Sequence, residues 1–100
     1  MTSVAKLEAL CLAVLRKYPM AFSATPVVGA MDERTYQGYM VNRPSSANAG
    51  CALICAVRLW SDGEFEVMEM GCDCEDAFFK NQNQKICDTF REEFHKVFSV

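Results

Sequence analysis

Apolar residues recur at three- and four-residue spacing from Val4 to Tyr18: Val4, Leu7, Leu10, Cys11, Val14, Leu15 and Tyr18 fall on one broad helical face. Ser3 precedes the run as a candidate N-cap, and Arg16 and Lys17 suit the negative C-terminal end of a helix dipole. Pro19 disfavours helical dihedrals at Tyr18, so a helix is predicted from about Val4 to Tyr18. The next stretch is punctuated by Pro26, Gly29, Gly38, Pro44 and Gly50. It offers strand candidates at Val27–Met31 and Tyr36–Asn42, with Asp32–Thr35 as the turn between them. Arg43 to Gly50 is small and polar and reads as a flexible loop.

The pattern then becomes a hairpin. CALICAVRLW and FEVMEMG flank SDGE, and Asp62-Gly63 suits a type I′ turn, which needs φ > 0 at both central residues. That turn pairs Trp60 with Phe65, Leu59 with Glu66, Arg58 with Val67, Val57 with Met68 and Cys55 with Met70. Alternation across a strand gives one face of Leu53, Cys55, Val57, Leu59, Met68, Met70 and Cys72, with Glu66 near the tip, directed at the helices. On this reading Met68 and Met70 are buried, while Trp60 and Phe65 are at least partly exposed on the opposite face and form a cross-strand aromatic pair.

Beyond Gly71, Asp73 is the candidate N-cap of a second helix, with Glu75 and Asp76 in its first turn. Phe79, Ile86, Phe90, Phe94 and Val97 follow helical spacing, and the polar tract Asn81–Gln84 is expected to bend the helix or delay its start. The predicted fold is a single α+β domain over residues 1–100. It has an antiparallel three- or four-stranded sheet with N- and C-terminal helices packed on one face, in α-β-β-β-α order.

The formal net charge of −3 is unevenly spread. Residues 1–58 carry +3, residues 59–79 carry −7 with no Lys or Arg, and residues 80–100 carry +1. The seven acids are Asp62, Glu64, Glu66, Glu69, Asp73, Glu75 and Asp76. Phosphates need positive partners, so direct nucleic-acid binding through this region is disfavoured, and a basic protein surface is its complement. The plainer reading is solvated strand edges and a helix N-terminus that favours carboxylates. No apolar run approaches the roughly 18 residues of a membrane span, and the N-terminus lacks the layout of a signal peptide, so a cytoplasmic protein without membrane contact is expected.

Six cysteines occur, at positions 11, 51, 55, 72, 74 and 87, several of them in apolar periodic segments, and mostly reduced thiols are expected. Cys72-x-Cys74, with Cys87 or a loop ligand, is the one arrangement that raises a zinc or redox module; paired C-x₂-C spacing is absent. His95 is the lone histidine and sits near a helix end; Cys87, eight residues earlier, is about 12 Å away along the axis. No nucleophile elbow, P-loop, HExxH or dinucleotide fingerprint occurs, so neither an enzyme nor a cofactor is expected.

A helix, three strands and a helix, opened by the Leu-rich KLEALCLAVL, resembles a double-stranded-RNA-binding domain in element order and apolar pattern. That family places lysines at the start of its last helix to grip phosphates. Here the corresponding residues are Asp73, Glu75, Asp76, Ala77 and Phe78, so the resemblance implies a degenerate member that binds protein.

The function expected from the sequence is non-enzymatic protein binding. Asp62, Glu64, Glu66, Glu69, Asp73, Glu75 and Asp76 would dock on a basic surface, with Trp60 and Phe65 as apolar anchors. A small inhibitor, such as a phage-type viral protein presenting carboxylates where phosphates lie, fits this reading. So does a homodimer formed through the sheet face or an edge strand.

Overall fold

The computed structural model describes residues 2–19, 22–44, 49–71 and 73–98. Helix α1 spans Ser3–Lys17, and α2 spans Ala77–Phe98. Between them run β1 (Ser23–Met31), β2 (Arg34–Asn42), β3 (Leu53–Trp60) and β4 (Phe65–Glu69), with a 3-10 turn at Ala49–Cys51. The strands form one antiparallel sheet in the order β1-β2-β3-β4, and no membrane-length apolar helix occurs among the described residues. The α+β class and four antiparallel strands agree with the pattern; the double-stranded-RNA-binding order has three. Part of the predicted flexible loop, residues 45–48, lies outside the described residues.

α1 starts beside the residue expected, and α2 starts three residues later than expected. Thr2, rather than Ser3, caps α1: its Oγ1 accepts from the Ala5 N–H at 3.1 Å. Asp76, rather than Asp73, caps α2: its Oδ1 accepts from the Phe79 N–H at 3.1 Å. The Asn81–Gln84 tract does not break α2, which is continuous over 22 residues. Asn83 there is buried instead, its Oδ1 accepting from Arg43 at 2.7 Å.

The core lies between the helices and one face of the sheet. Leu7, Leu10, Cys11 and Val14 of α1 meet Val41, Cys55, Val57 and Leu59 of the sheet and Ile86, Cys87 and Phe90 of α2. Each helix contributes a stripe at helical spacing, and β3 contributes Cys55, Val57 and Leu59 in the predicted alternation, but Ile54 is buried with them and Leu53, expected inside, is exposed.

Both turns differ from those expected, Asp32–Thr35 and a two-residue Asp62-Gly63. Asp32 and Glu33 both have positive φ, 51° and 66°, so the two-residue type I′ turn joins β1 to β2 without a glycine. The β3–β4 loop is a residue longer than expected. The Gly63 N–H donates to the Trp60 carbonyl at 2.9 Å, and the Trp60 N–H donates to the Glu64 carbonyl at 2.8 Å. Gly63 has φ 92°, so Ser61, Asp62 and Gly63 form a type I turn closed by a left-handed glycine. The register becomes Leu59 with Phe65, Arg58 with Glu66, Val57 with Val67, Ala56 with Met68 and Cys55 with Glu69. Because side chains alternate, this one-residue slip turns β4 over.

Candidate protein-interaction surfaces

The inverted β4 separates the two aromatics expected to act together. Phe65 points to the helices, where its ring stacks on Phe94 with centroids 4.1 Å apart. Val67 packs against the same core, whereas Met68 is 38 % exposed. Trp60 lies on the helix-free face but is only 5 % exposed. Arg34 covers its ring at 4.3 Å, Arg58 approaches at 5.0 Å, and Tyr36 meets it edge-on at 5.0 Å. Trp60 and Phe65 are therefore not a cross-strand pair, and Trp60 is not an exposed anchor. Cation–π stacking and burial are its occupation.

The acids do not form a single rim. Asp62 and Glu64 sit at the hairpin tip, and both hold Arg34, at 3.0 and 2.7 Å. The Glu64 N–H, and then Arg34, hold the Asp62 carboxyl below the usual carboxylate range. Glu66 accepts from Arg58 Nε at 2.7 Å. Glu69 accepts from Arg91 at 3.1 Å and from Gln84 at 3.2 Å. Asp73, Glu75 and Asp76 fall beyond the other end of β4, whose five residues span roughly 17 Å. Register brings in what the linear charge count missed. Tyr36 pairs with Trp60, so the turn residues Asp32 and Glu33 lie at the same end of the sheet as Asp62 and Glu64, with Arg34 among them. The signal was the length of β2, which puts Arg34 level with the tip.

A surface of another kind lies along β1, an outer strand of the sheet. Its nine residues, SATPVVGAM, carry no charge. Their apolar members are poorly covered: Val28 is 81 % exposed and Met31 is 54 % exposed. The helix layer leaves a crevice between α1 and β1. One part, of about 270 Å³, is lined by Leu12, Leu15, Phe22, Pro26 and Tyr39 among others. The next, of about 120 Å³, is lined almost wholly by apolar atoms of Val4, Leu7, Pro26, Val28 and Tyr39. Val4 and Leu12 on the α1 flank are themselves exposed. Sequence periodicity assigned Val4 to the core stripe; packing leaves it outside.

Of the other buried polar groups, Arg43 and Glu93 tie separate elements together. Arg43 donates to the Cys51 carbonyl at 2.6 Å and to Gln82 at 2.9 Å, and lies over the Phe79 ring at 4.3 Å. Burial lowers its pKa from the ordinary value. Glu93 holds Lys17 at 2.7 Å and Lys96 at 3.2 Å, which ties α1 to α2.

Cysteine chemistry differs from expectation. Cys51 and Cys74 form a disulfide, although mostly reduced thiols were predicted. They are 23 residues apart in sequence, but folding brings their Cα atoms to 4.5 Å. Cys74 is thereby withdrawn from the C-x-C arrangement, whose Cys72 lies outside the described residues. Cys11, Cys55 and Cys87 are free and buried. Burial pushes the Cys11 thiol up to about 12. A hydrogen bond with Cys87, together with burial, raises Cys55 well above the usual thiol range. Such thiols are poor nucleophiles and ligands. Among the described residues no group of three or more His, Cys, Asp or Glu side chains is placed to hold a metal ion.

No protein-family model, curated protein or solved structure matches this chain.

Proposed function

We propose that this chain is a non-enzymatic protein-binding module that docks its partner along β1 and the apolar crevice beside it. One observation carries the reading: a nine-residue, charge-free outer strand with Val28 81 % exposed. Natural sheets blunt open edges with lysines, bulges or short strands, because unpaired backbone groups recruit other strands. β1 has only Pro26 as such a device. The two-residue turn makes Met31 and Arg34 a hydrogen-bonded pair, so alternation directs the backbone of Ala24, Pro26, Val28 and Ala30 outward. Proline is tolerated at an outward position of an edge. Strand addition there supplies backbone hydrogen bonds, and the crevice takes apolar side chains.

The test is Val28→Lys. The side chain is exposed, so melting temperature should stay within a degree or two. Complexes recovered on the tagged chain from its own cells should be lost. Recovery equal to the parent chain's overturns the reading.

A second reading is favoured by Asp32 and Glu33 joining Asp62 and Glu64 at one end of the sheet. There the chain acts as an inhibitor that docks carboxylates on a basic, nucleic-acid-handling partner. The two separate by salt: acidic docking weakens steeply as ionic strength rises, and apolar strand addition does not.

A further inference from the structure

We infer that the partner docked along β1 is a second copy of this chain, joined by antiparallel pairing of the two β1 strands about a two-fold axis; this rests on the reading of β1 as the docking surface. Three features favour self-association over a foreign strand.

The first is the absence of charge. A two-fold antiparallel pairing sets the middle of the strand opposite its own copy, so a charge near the middle of the edge confronts its own sign. Ser23–Met31 contains no Asp, Glu, Lys or Arg, and self-pairing meets no repulsion.

The second is complementarity beyond the strand ends. β1 begins shortly after α1 ends at Lys17 and finishes at the turn Asp32-Glu33. Antiparallel pairing therefore brings the acidic turn of one copy toward the basic end of α1 in the other. That end carries Arg16 and Lys17. Arg16, Asp32 and Glu33 form no ion pair within 4 Å among the described residues. The two-fold makes the contact twice.

The third is the crevice. Joining the β1 strands extends the sheet from four strands to eight and sets the two α1 helices on the same face, flanking the seam. Val4, Leu12 and Val28, exposed in the single chain, then border the seam from both sides. A lone foreign strand satisfies the backbone edge but leaves the charges at the strand ends unmatched.

The experiment has two arms. Sedimentation velocity on the purified full chain should give a concentration-dependent dimer. Arg16→Glu, or Asp32→Lys with Glu33→Lys, should each weaken it about tenfold, and the combined charge swap should restore it. In the second arm a photoreactive benzophenone amino acid replaces Val28, and adducts are formed in the native cells. A doublet of the chain carrying only its own peptides supports the inference. A monomer in the first arm with an adduct to a different protein in the second overturns self-association and leaves β1 a docking surface. A monomer with no adduct overturns both. A dimer insensitive to all three charge variants and giving no Val28 adduct places the contact elsewhere and also overturns the inference.

Discussion

Phe65 and Phe94 stack nearly parallel, 5° apart in plane, and this contact locks β4 to the second half of α2. It exists because the hairpin loop holds three residues and not two. Phe65→Ala should therefore destabilise the domain by about 2–3 kcal/mol, the range for a large core truncation at a partly buried site. Met68→Ala, on the open face, should cost less than about 1 kcal/mol. Urea unfolding of the two variants gives the ratio, and the two-residue register predicts the opposite order.

Two glycines should differ in the same assay. At Gly38 an added Cβ would lie 1.8 Å from the Val57 carbonyl oxygen, so β2 and β3 must separate to admit it. Gly38→Ala is expected to cost about 3 kcal/mol or more by overpacking. Gly63 is open to solvent, and Gly63→Ala is penalised only by its left-handed backbone, about 1–2 kcal/mol.

Reduction should loosen the molecule measurably. In the chain-entropy model, a bridge closing a loop of this length contributes about 3 kcal/mol. Cys51→Ala with Cys74→Ala should lower the melting temperature by a similar amount with or without reductant, whereas the parent should fall only with reductant. Thiol labelling under native conditions should leave Cys11, Cys55 and Cys87 unmodified until the protein unfolds.

Acid should act through Glu93, whose carboxyl is held below its ordinary value by Lys17 and then Lys96. A depressed carboxylate contributes stability that is present above its unfolded value, about 4.3, and is lost as pH falls through the folded one. Melting temperature should drop below about pH 4, and Glu93→Gln should flatten that part of the curve. Lys17, raised by Glu93, has the opposite sign: its contribution holds up to the ordinary lysine range and disappears as pH rises beyond it.

The helices, the two hairpins and Cys55, Val57 and Leu59 of β3 were legible because each rests on local periodicity, whereas the exchange of Leu53 for Ile54 at the start of β3 was not. The face of β4 was not, because SDGE accommodates a two- or a three-residue loop and the difference of one residue exchanges Phe65 for Met68. The acidic surface was overdrawn for a related reason. Arg34, Arg58 and Arg91 lie 30, 8 and 22 residues from the carboxylates they meet, and linear charge counts do not register such encounters. The Cys51–Cys74 bridge was likewise invisible, since spacing alone does not say which thiols the fold brings together. The polar tract around Asn83 looked like an interruption until Arg43 supplied its buried partner. β1 was legible only in part, as a short strand at Val27–Met31; its start at Ser23 and its place at the edge come from the fold. Its bare flank depends on where α1 settles.

The Cys51–Cys74 bridge also encloses the whole β3–β4 hairpin in a covalent ring. A protease that nicks the exposed tip near Asp62-Gly63 would leave both fragments tethered. The cut molecule would migrate as one species on a non-reducing gel and part only when reductant is added.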